Sequence, residues 1–243
     1  MPKIAVINDS TLAADAQIQV RMPAFETQWN RDLAPIWAVE NATMIFVTKG
    51  QSPPPGAWWI VVLDDSDQAG SLAYHDLTNE GLPISKVFLK TLLAGNADLG
   101  VGASHEICEM AVDPWLNGAF QDDNDVFWAN EICDPVEDDQ YGYKIGDVLV
   151  SNFVTPAWFG HKNAPGPLDF SGHATGKFQI LSGGYAQKYD PVKGWIQVTG
   201  AKAVATPKAT ASLGSRRERR ARQWKSWRRS DKIWRPRGPR VRV

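Results

Sequence analysis

The sequence of 243 residues is poor in cysteine, with two, and in histidine, with four. Two cysteines cannot build the disulfide scaffold of a small secreted domain. Long apolar runs are also absent: the run at Trp58–Leu63 has six residues, whereas a transmembrane helix needs roughly twenty. The N-terminal sequence MPKIAVINDS lacks the charged and then apolar pattern of a signal peptide, so we expect a cytoplasmic protein without a transmembrane segment.

Two common catalytic motifs are missing as well. The chain contains no Gly-x-Ser-x-Gly elbow, which holds the nucleophile of many serine hydrolases. The glycine-containing stretch at residues 100–102 is too short to form a phosphate-binding loop. We therefore do not expect a serine hydrolase of this type or a P-loop protein.

Charge is distributed unevenly along the chain. The total of 26 Lys+Arg and 27 Asp+Glu is nearly balanced, but residues 1–200 contain 11 and 25 of them, and residues 201–243 contain 15 and 2. With 43% hydrophobic residues, the chain can bury a sizeable core. We therefore expect one acidic domain over residues 1–200 and a basic, disordered tail over residues 201–243.

Three tryptophans, Trp224, Trp227 and Trp234, lie among the arginines of the tail. Arginine attracts phosphate and indole rings stack on bases, so the tail can contact nucleic acid. A short basic helix that bears tryptophan can also lie on a membrane surface. A solvated tail that rests on the acidic domain is the third alternative. The sequence leaves these alternatives and the oligomeric state open.

Hydrophobic periodicity predicts strands and helices in an order typical of an α+β fold. Residues 18–36 repeat apolar side chains at helical spacing, with Pro23 either starting or kinking the helix. A central helix is expected at residues 99–112, ended by Asp113 and Pro114. The predicted strands cover residues 4–7, 43–48, 58–63, 72–75 and 84–89 before this helix, and residues 148–155, 178–181 and 195–198 after it.

The central helix contains the motif His-Glu-x-x-Glu. His105 and Glu109 are four residues apart, so both side chains leave one face of the helix and can bind one metal ion. Glu106 lies beside them, where a general base can reach the attacking water. Because the same spacing also occurs by chance in solvent-exposed helices, the hypothesis of a metal site requires a third ligand.

Three segments of the chain resemble a family of metallopeptidases. The segments SHEICEMAVDP, NEICDP and VSNFVTPAWF are similar to the gluzincin group of zincins and to the HExxExxxDP family of bacterial and phage proteins. The similarity covers residues 60–200. It implies a zincin-like α+β fold with a mixed sheet, a central active-site helix and a β-rich C-terminal part. It also implies peptide-bond hydrolysis and a cytoplasmic or phage-associated location.

The resemblance assigns roles by position in the motifs. It implies that His105, Glu109 and Glu131 bind Zn²⁺ and that Glu106 is the catalytic base. Asp134 is expected to orient one of the ligands. Peptide or protein chains are the implied substrates.

The anionic ligand set leaves alternatives open. Glu109 stands where zincins have histidine, so Mn²⁺ and Ca²⁺ are alternatives to Zn²⁺. Asp113, one turn further along the helix, is an alternative ligand. Cys108 and Cys133 flank the ligand segments and are expected to be close to each other as buried, unreactive thiols, with a disulfide or metal ligation as alternatives.

Further residues are assigned to substrate binding. In zincins an edge strand ahead of the active-site helix holds the extended substrate by main-chain pairing. His161 is the first choice for a catalytic donor to the oxyanion, with Tyr141 and Tyr143 as alternatives. The residues expected in the substrate strand are Ala73, Tyr74 and His75.

The sequence therefore predicts a zinc-dependent metallopeptidase. The alternative is a non-catalytic phage or bacterial structural protein, whose acidic cluster binds Ca²⁺ or no ion and whose tail contacts nucleic acid. One structural observation separates the two, because the enzyme requires the side chains of His105, Glu109 and Glu131 to converge on one point.

Overall fold

The N-terminal part of the protein is built on a mixed five-stranded sheet. The computed structural model describes residues 1–67, 71–161, 164 and 166–201. The strands of this sheet are β1 (Lys3–Asn8), β2 (Thr43–Val47), β3 (Trp58–Leu63), β4 (Ala73–Leu77) and β5 (Pro83–Phe88). Their order is β2-β1-β3-β5-β4. Neighbouring strands are parallel except β4 and β5, which are antiparallel.

The chain between β1 and β2 is helical over most of residues 15–37. It comprises α1 (Asp15–Gln19), α2 (Met22–Thr27), a π-helical turn (Gln28–Leu33) and α3 (Ala34–Trp37). Pro23 lies in the first turn of α2, where its missing N–H costs no helical hydrogen bond. The proline therefore starts a helix instead of kinking one, and a short turn separates α1 from α2.

Two helices, α4 (Leu89–Ala94) and α5 (Leu99–Val112), follow β5. The bounds of α5 are those that the sequence predicts. The Asp98 carboxylate caps its N-terminus by accepting the backbone N–H of Gly100 at 2.6 Å. The helix ends at Val112, because the next residue, Asp113, precedes Pro114 and a residue before proline disfavours helical geometry.

Helix α5 is the central element of the fold. It packs against β4 and β5 and, on another side, against β9 (Val148–Val150). Eleven of its fourteen residues are buried, so nearly its whole circumference is withdrawn from water. The polar side chains of α5 must therefore find their partners inside the protein.

The C-terminal part consists of short antiparallel strands. A four-stranded sheet contains, in spatial order, β11 (Gly194–Thr199), β10 (Tyr185–Asp190), β7 (Phe127–Ala129) and β6 (Ala119–Gln121). A separate hairpin pairs β8 (Tyr143–Ile145) with β9. Two 3-10 turns, Asp134–Val136 and Asp139–Tyr141, lie between β7 and β8. The predicted α+β class with a mixed sheet is confirmed.

The strand predicted at residues 178–181 is wrong. Phe178 has a φ of +56°, which is not a strand conformation. Oε1 of Gln179 accepts the N–H of Thr175 at 2.6 Å and that of Gly176 at 3.1 Å. Within the segment, the N–H of Phe178 donates to Trp158 at 3.1 Å and that of Leu181 donates to Pro135 at 2.9 Å. These donors bond to two separate loops and not to one neighbouring strand, so the segment folds into turns.

The strand predicted at residues 148–155 is confirmed only as far as Val150. Beyond it, Oδ1 of Asn152 accepts the N–H of Phe153 at 2.9 Å and so replaces a partner strand. The other predicted strands form with ends within two residues of those expected.

One hydrophobic core connects the N-terminal and C-terminal parts. It contains Trp29 from the π-helical turn, Ile107 from α5 and Trp158 from the chain after β9, each no more than 1% exposed. Among the described residues, no helix is both long and apolar enough to cross a membrane. Residues 202–243, which include the arginines and tryptophans of the tail, lie outside the described residues. Contacts between the tail and nucleic acid therefore stay a prediction.

Close packing at the start of α5 requires glycine at position 100. A Cβ there would collide with the carbonyl oxygen of Leu149 in β9. We expect Gly100→Ala to lower the free energy of unfolding, measured with urea, by about 1–3 kcal/mol, because α5 or β9 must shift to make room for the Cβ. Gly176→Ala is the matched control, since the nearest atom to its Cβ lies 4.0 Å away. Equal losses in both variants would contradict the packing argument.

The Asp64 carboxylate, at the end of β3, holds the loop that follows β1. It accepts the hydroxyl groups of Ser10 and Thr11 and the backbone N–H of Thr11. These hydrogen bonds hold the pKa of Asp64 well below its ordinary value of 3.8, and the bond from Ser10 has the largest effect. The ionised carboxylate therefore stabilises the folded state above the unfolded-state pKa, and this contribution disappears as pH falls through the lowered pKa.

We expect Asp64→Asn to reduce the free energy of unfolding at about pH 6, with a difference from wild type that narrows as pH falls below 3.8. Urea denaturation at a series of pH values measures the loss of stability and its dependence on pH. Asp65→Asn is the control, because Asp65 lies next to Asp64 and forms an exposed ion pair with Lys90. A difference that does not depend on pH would show that the charge of Asp64 is irrelevant to the loop.

Candidate metal centre

A cluster of six buried ionisable side chains lies where α5, β4 and the segment after β7 meet. Helix α5 contributes three of them, β4 contributes one, and residues 130–134 contribute two. The members of this buried cluster are His75, His105, Glu106, Glu109, Glu131 and Asp134. None is more than 8% exposed, so water screens the charges among them only weakly.

The first group of possible ligands within the cluster contains His75, Glu109 and Glu131. Nδ1 of His75 lies 3.6 Å from Oε2 of Glu109, and Nε2 of His75 lies 3.9 Å from Oε2 of Glu131. One ligand atom from each residue lies within 4.8 Å of the other two. An imidazole and two carboxylates at this spacing could hold a divalent cation.

The second group contains His105, Glu109 and Asp134. Nε2 of His105 lies 3.3 Å from Oε1 of Glu109 and 3.1 Å from Oδ1 of Asp134. Glu109 thus belongs to both groups and uses a different oxygen in each. The backbone N–H of Cys133 donates to Oε1 of Glu109 at 3.2 Å, which helps to orient the carboxylate.

Two distances within the ligand groups are close to those between neighbouring ligands of one metal ion. Nδ1 of His75 and Oε2 of Glu109 are 3.6 Å apart, and Nε2 of His105 and Oε1 of Glu109 are 3.3 Å apart, both longer than the roughly 2.7–3.2 Å of most N–H···O hydrogen bonds. Bonds of about 2.0–2.2 Å to a tetrahedral ion place neighbouring ligand atoms roughly 3.3–3.6 Å apart. The buried cluster is therefore compatible with an ion between its ligand atoms.

Electrostatics also favours a cation in the cluster. Among the described residues, the buried ionisable side chains are acids, histidines, cysteines and Tyr74, and no Lys or Arg is buried. Burial opposes the protonated form of His105, but Glu109 and Asp134 outweigh it, so the pKa of His105 is raised well above 6.5. Buried carboxylates without compensating charge cost several kcal/mol. Protonated histidine or a bound ion can supply that charge.

Glu106 lies in the cluster but in neither group of ligands. Its Oε2 is 3.3 Å from Nδ1 of His75. The side chain is 3% exposed, so only a water molecule inside the cluster can reach it. This position beside the ligands is compatible with the predicted base.

Asp113 and His161 are predicted site residues that belong to neither group. Oδ1 of Asp113 accepts the N–H groups of Asn117 and Gly118, both at 2.9 Å, and so closes the turn after α5. His161 is exposed, and its backbone N–H donates to Pro156. The role of His161 as oxyanion donor stays a prediction.

The tyrosines weighed as oxyanion donors have other contacts. The hydroxyl of Tyr143 donates to Asp32 at 2.8 Å, and burial together with the Asp32 carboxylate raises the pKa of Tyr143. The ring of Tyr141 packs against that of His173, with centroids 5.2 Å apart. Both side chains therefore contribute to packing around α5 and the C-terminal loops.

The predicted substrate strand is β4. It is the last strand of the five-stranded sheet, and in the described part of the chain its sheet partner is β5. Ala73 is half-buried at its start. Tyr74 donates to Asp67 at 2.7 Å on one face, whereas His75 enters the cluster on the other. Binding of a peptide to this strand stays a prediction.

His75 is the cluster member that sequence reasoning missed as a ligand. It lies 31 positions before Glu106, with which it is in contact, and no helical or strand spacing relates the two. The alternation of side chains along β4 places His75 opposite Tyr74, but it does not say which element covers that face. Asp134, expected to orient a ligand, is itself in a ligand group. The predicted set of His105, Glu109 and Glu131 is divided between the two groups, with Glu109 common to both.

Cys108 and Cys133 are both buried and are free thiols. Burial and then the hydrogen bond with Cys108 raise the pKa of Cys133 well above 9.0. The two thiols are therefore buried and close to each other, as predicted. A raised pKa keeps the Cys133 thiol protonated, and a protonated thiol is a poor metal ligand.

Comparison with known proteins assigns no family to the chain. No protein-family model, curated protein or solved structure matches it. The resemblance to the HExxExxxDP family therefore stays a prediction, and the possible metal centre rests on the geometry of the buried cluster.

The placement of Asp113 outside the ligand groups can be tested directly. We expect Asp113→Ala to lower the free energy of unfolding in EDTA by about 1–3 kcal/mol, because two backbone N–H groups lose their acceptor, and to leave metal binding unchanged. Urea denaturation and metal analysis measure the two effects, with the exposed Asp123→Ala as control. Loss of metal binding at unchanged stability would make Asp113 a ligand instead.

Proposed function

We propose that this protein is a metal-dependent peptidase with a zincin-like fold. The observation that carries the proposal is the buried cluster, in which two imidazoles and two carboxylates surround Glu109 and no Lys or Arg is buried among the described residues. Zn²⁺ is the expected ion. Mn²⁺ and Ca²⁺ are alternatives, because carboxylate ligands outnumber imidazoles.

The proposed ligands are the members of the two groups around Glu109. His75 and Glu131 lie on one side of its carboxylate, and His105 and Asp134 lie on the other. When bound, the ion lowers the pKa of a water molecule and polarises the carbonyl group of the substrate. The chain itself buries the ligands away from bulk water, and the low local dielectric constant strengthens this polarisation.

Glu106 is the proposed general base. Its carboxylate takes a proton from the attacking water as the water oxygen bonds to the carbonyl carbon of the peptide. The same proton passes to the amide nitrogen as the C–N bond breaks, so the products are a carboxylic acid and an amine. At neutral pH the acid then gives its proton to the amine, which leaves a carboxylate and an ammonium group. Contact with His75 at 3.3 Å holds the Glu106 carboxylate at the edge of the ligand groups.

Strand β4 is the proposed binding edge for the substrate. His75 lies in the middle of this strand, so a peptide that pairs with the outer edge of β4 passes next to the buried cluster. Main-chain pairing binds many sequences, which suits a peptidase with protein substrates.

A non-catalytic cation site is the second candidate function, and the burial of the cluster favours it. Structural metal sites are closed, whereas catalytic sites keep a position open to water or substrate. The most exposed member of the cluster, His105, is only 8% exposed. A structural protein stabilised by a bound ion would need no such access.

The Glu106→Gln variant distinguishes the two functions. We expect it to retain the bound metal and to lose hydrolysis by roughly 10²–10⁴-fold, because the amide cannot accept the proton. Metal analysis and mass-spectrometric detection of cleavage in a mixture of unfolded proteins measure the two properties. Glu80→Gln, an exposed Glu→Gln change, is the matched control and is expected to keep both.

Each contradictory outcome points to a different error. Wild-type protein that binds metal and cleaves no peptide would favour the structural cation site. Unchanged hydrolysis by Glu106→Gln would remove Glu106 as the base. Wild-type protein without bound metal, after exposure to Zn²⁺ and Mn²⁺, would contradict the metal centre itself.

A further inference from the structure

We infer that the buried cluster holds two divalent cations at once, bridged by the carboxylate of Glu109. The inference rests on the proposed metal-dependent function and adds to it the number of ions and the residue that joins them. It follows from the way in which five of the six side chains form two groups with one member, Glu109, in common.

Each group is a sufficient ligand set without the other. The first offers His75 and Glu131 in addition to Glu109, and the second offers His105 and Asp134 in addition to Glu109. Three protein ligands, one imidazole and two carboxylates, are enough for one catalytic ion. No imidazole has to serve two ions.

The orientation of Glu109 suits a bridge between the two groups. Its Oε2 is the atom near His75, at 3.6 Å, and its Oε1 is the atom near His105, at 3.3 Å. A carboxylate that offers one oxygen to each ion holds the ions a few ångströms apart. Two-metal catalytic sites have ions about 3.5–4 Å apart, which a bridge of this kind can span.

The charge of the cluster also suits two divalent ions. The carboxylates of Glu106, Glu109, Glu131 and Asp134 carry four negative charges when ionised. Imidazole binds metal in its neutral form, so one divalent ion would balance only half of this charge. Two divalent ions balance all of it, in a site where no Lys or Arg is buried among the described residues.

The competing arrangement is one ion in the first group and a protonated His105 in the second. The separation of 3.1 Å between Nε2 of His105 and Oδ1 of Asp134 also fits a hydrogen bond. In that arrangement His105 and Asp134 would position Glu109 but would not bind an ion. The number of bound ions therefore decides between the two arrangements.

The test uses the full chain, stripped with EDTA and then equilibrated with Mn²⁺. We expect two Mn²⁺ ions per chain by equilibrium dialysis and elemental analysis. Two ions bridged by one carboxylate are magnetically coupled, so we expect a spin-coupled electron paramagnetic resonance spectrum instead of that of isolated Mn²⁺.

Substitution of one ligand in each group assigns the ions. We expect Glu131→Gln and Asp134→Asn each to bind a single, uncoupled Mn²⁺, and Glu109→Gln to lose the coupled spectrum. Circular dichroism shows whether each variant folds. If an acid variant does not fold, His75→Gln or His105→Gln takes its place, because each removes the imidazole of the same group. Glu80→Gln and Asp123→Asn are exposed controls that should keep two coupled ions.

The outcomes separate this inference from the proposed function. One ion in wild type, lost in Glu131→Gln and kept in Asp134→Asn, would overturn the two-ion site and leave a metal-dependent function intact. No bound ion would overturn both. Two uncoupled ions that persist in Glu131→Gln and Asp134→Asn would place them on the acidic surface and overturn the inference.

Discussion

The burial of several acids around one helix is the constraint on which the rest of the structure depends. Helix α5 is covered by β4 and β5 on one side and by β9 on another, so the acids of its motif cannot be solvated. A buried carboxylate is tolerated only beside hydrogen-bond donors or positive charge. The fold meets this requirement with imidazoles from two elements, with the N–H of Cys133, and with a cluster whose charge suits divalent cations.

The neighbours of the ligands in sequence hold the helix in place. The Ser104 hydroxyl accepts the N–H of Ser151 at 2.8 Å and ties α5 to the chain after β9. Asn152 donates to Asp169 at 2.6 Å, and both side chains are fully buried. Ser151 and Asn152 of the motif VSNFVTPAWF thus have structural roles, and the bond between Ser151 and Ser104 joins the motif to α5.

The sequence predicted elements well wherever local rules decide them. The bounds of α5 follow from a capping aspartate and a terminating proline, and β3 follows from an unbroken apolar run. Prediction failed at residues 178–181, where apolar residues suggested a strand but Gln179 bonds to the backbone of the preceding turn. Hydrophobicity cannot reveal such a bond, because it depends on the path of the loop and not on the composition of the segment.

The sequence by itself determined the types of ligand and the spacing within α5, because a helix of fixed pitch places residues four apart on one face. Only the tertiary structure decided what meets that face. It brought His75 from β4 beside Glu106, across 31 positions of chain, and Asp134 beside His105, across 29. It also removed Asp113 from the ligands by giving it two backbone N–H groups to accept. Such contacts depend on how sheet, helix and loop pack together, and no local periodicity encodes that packing.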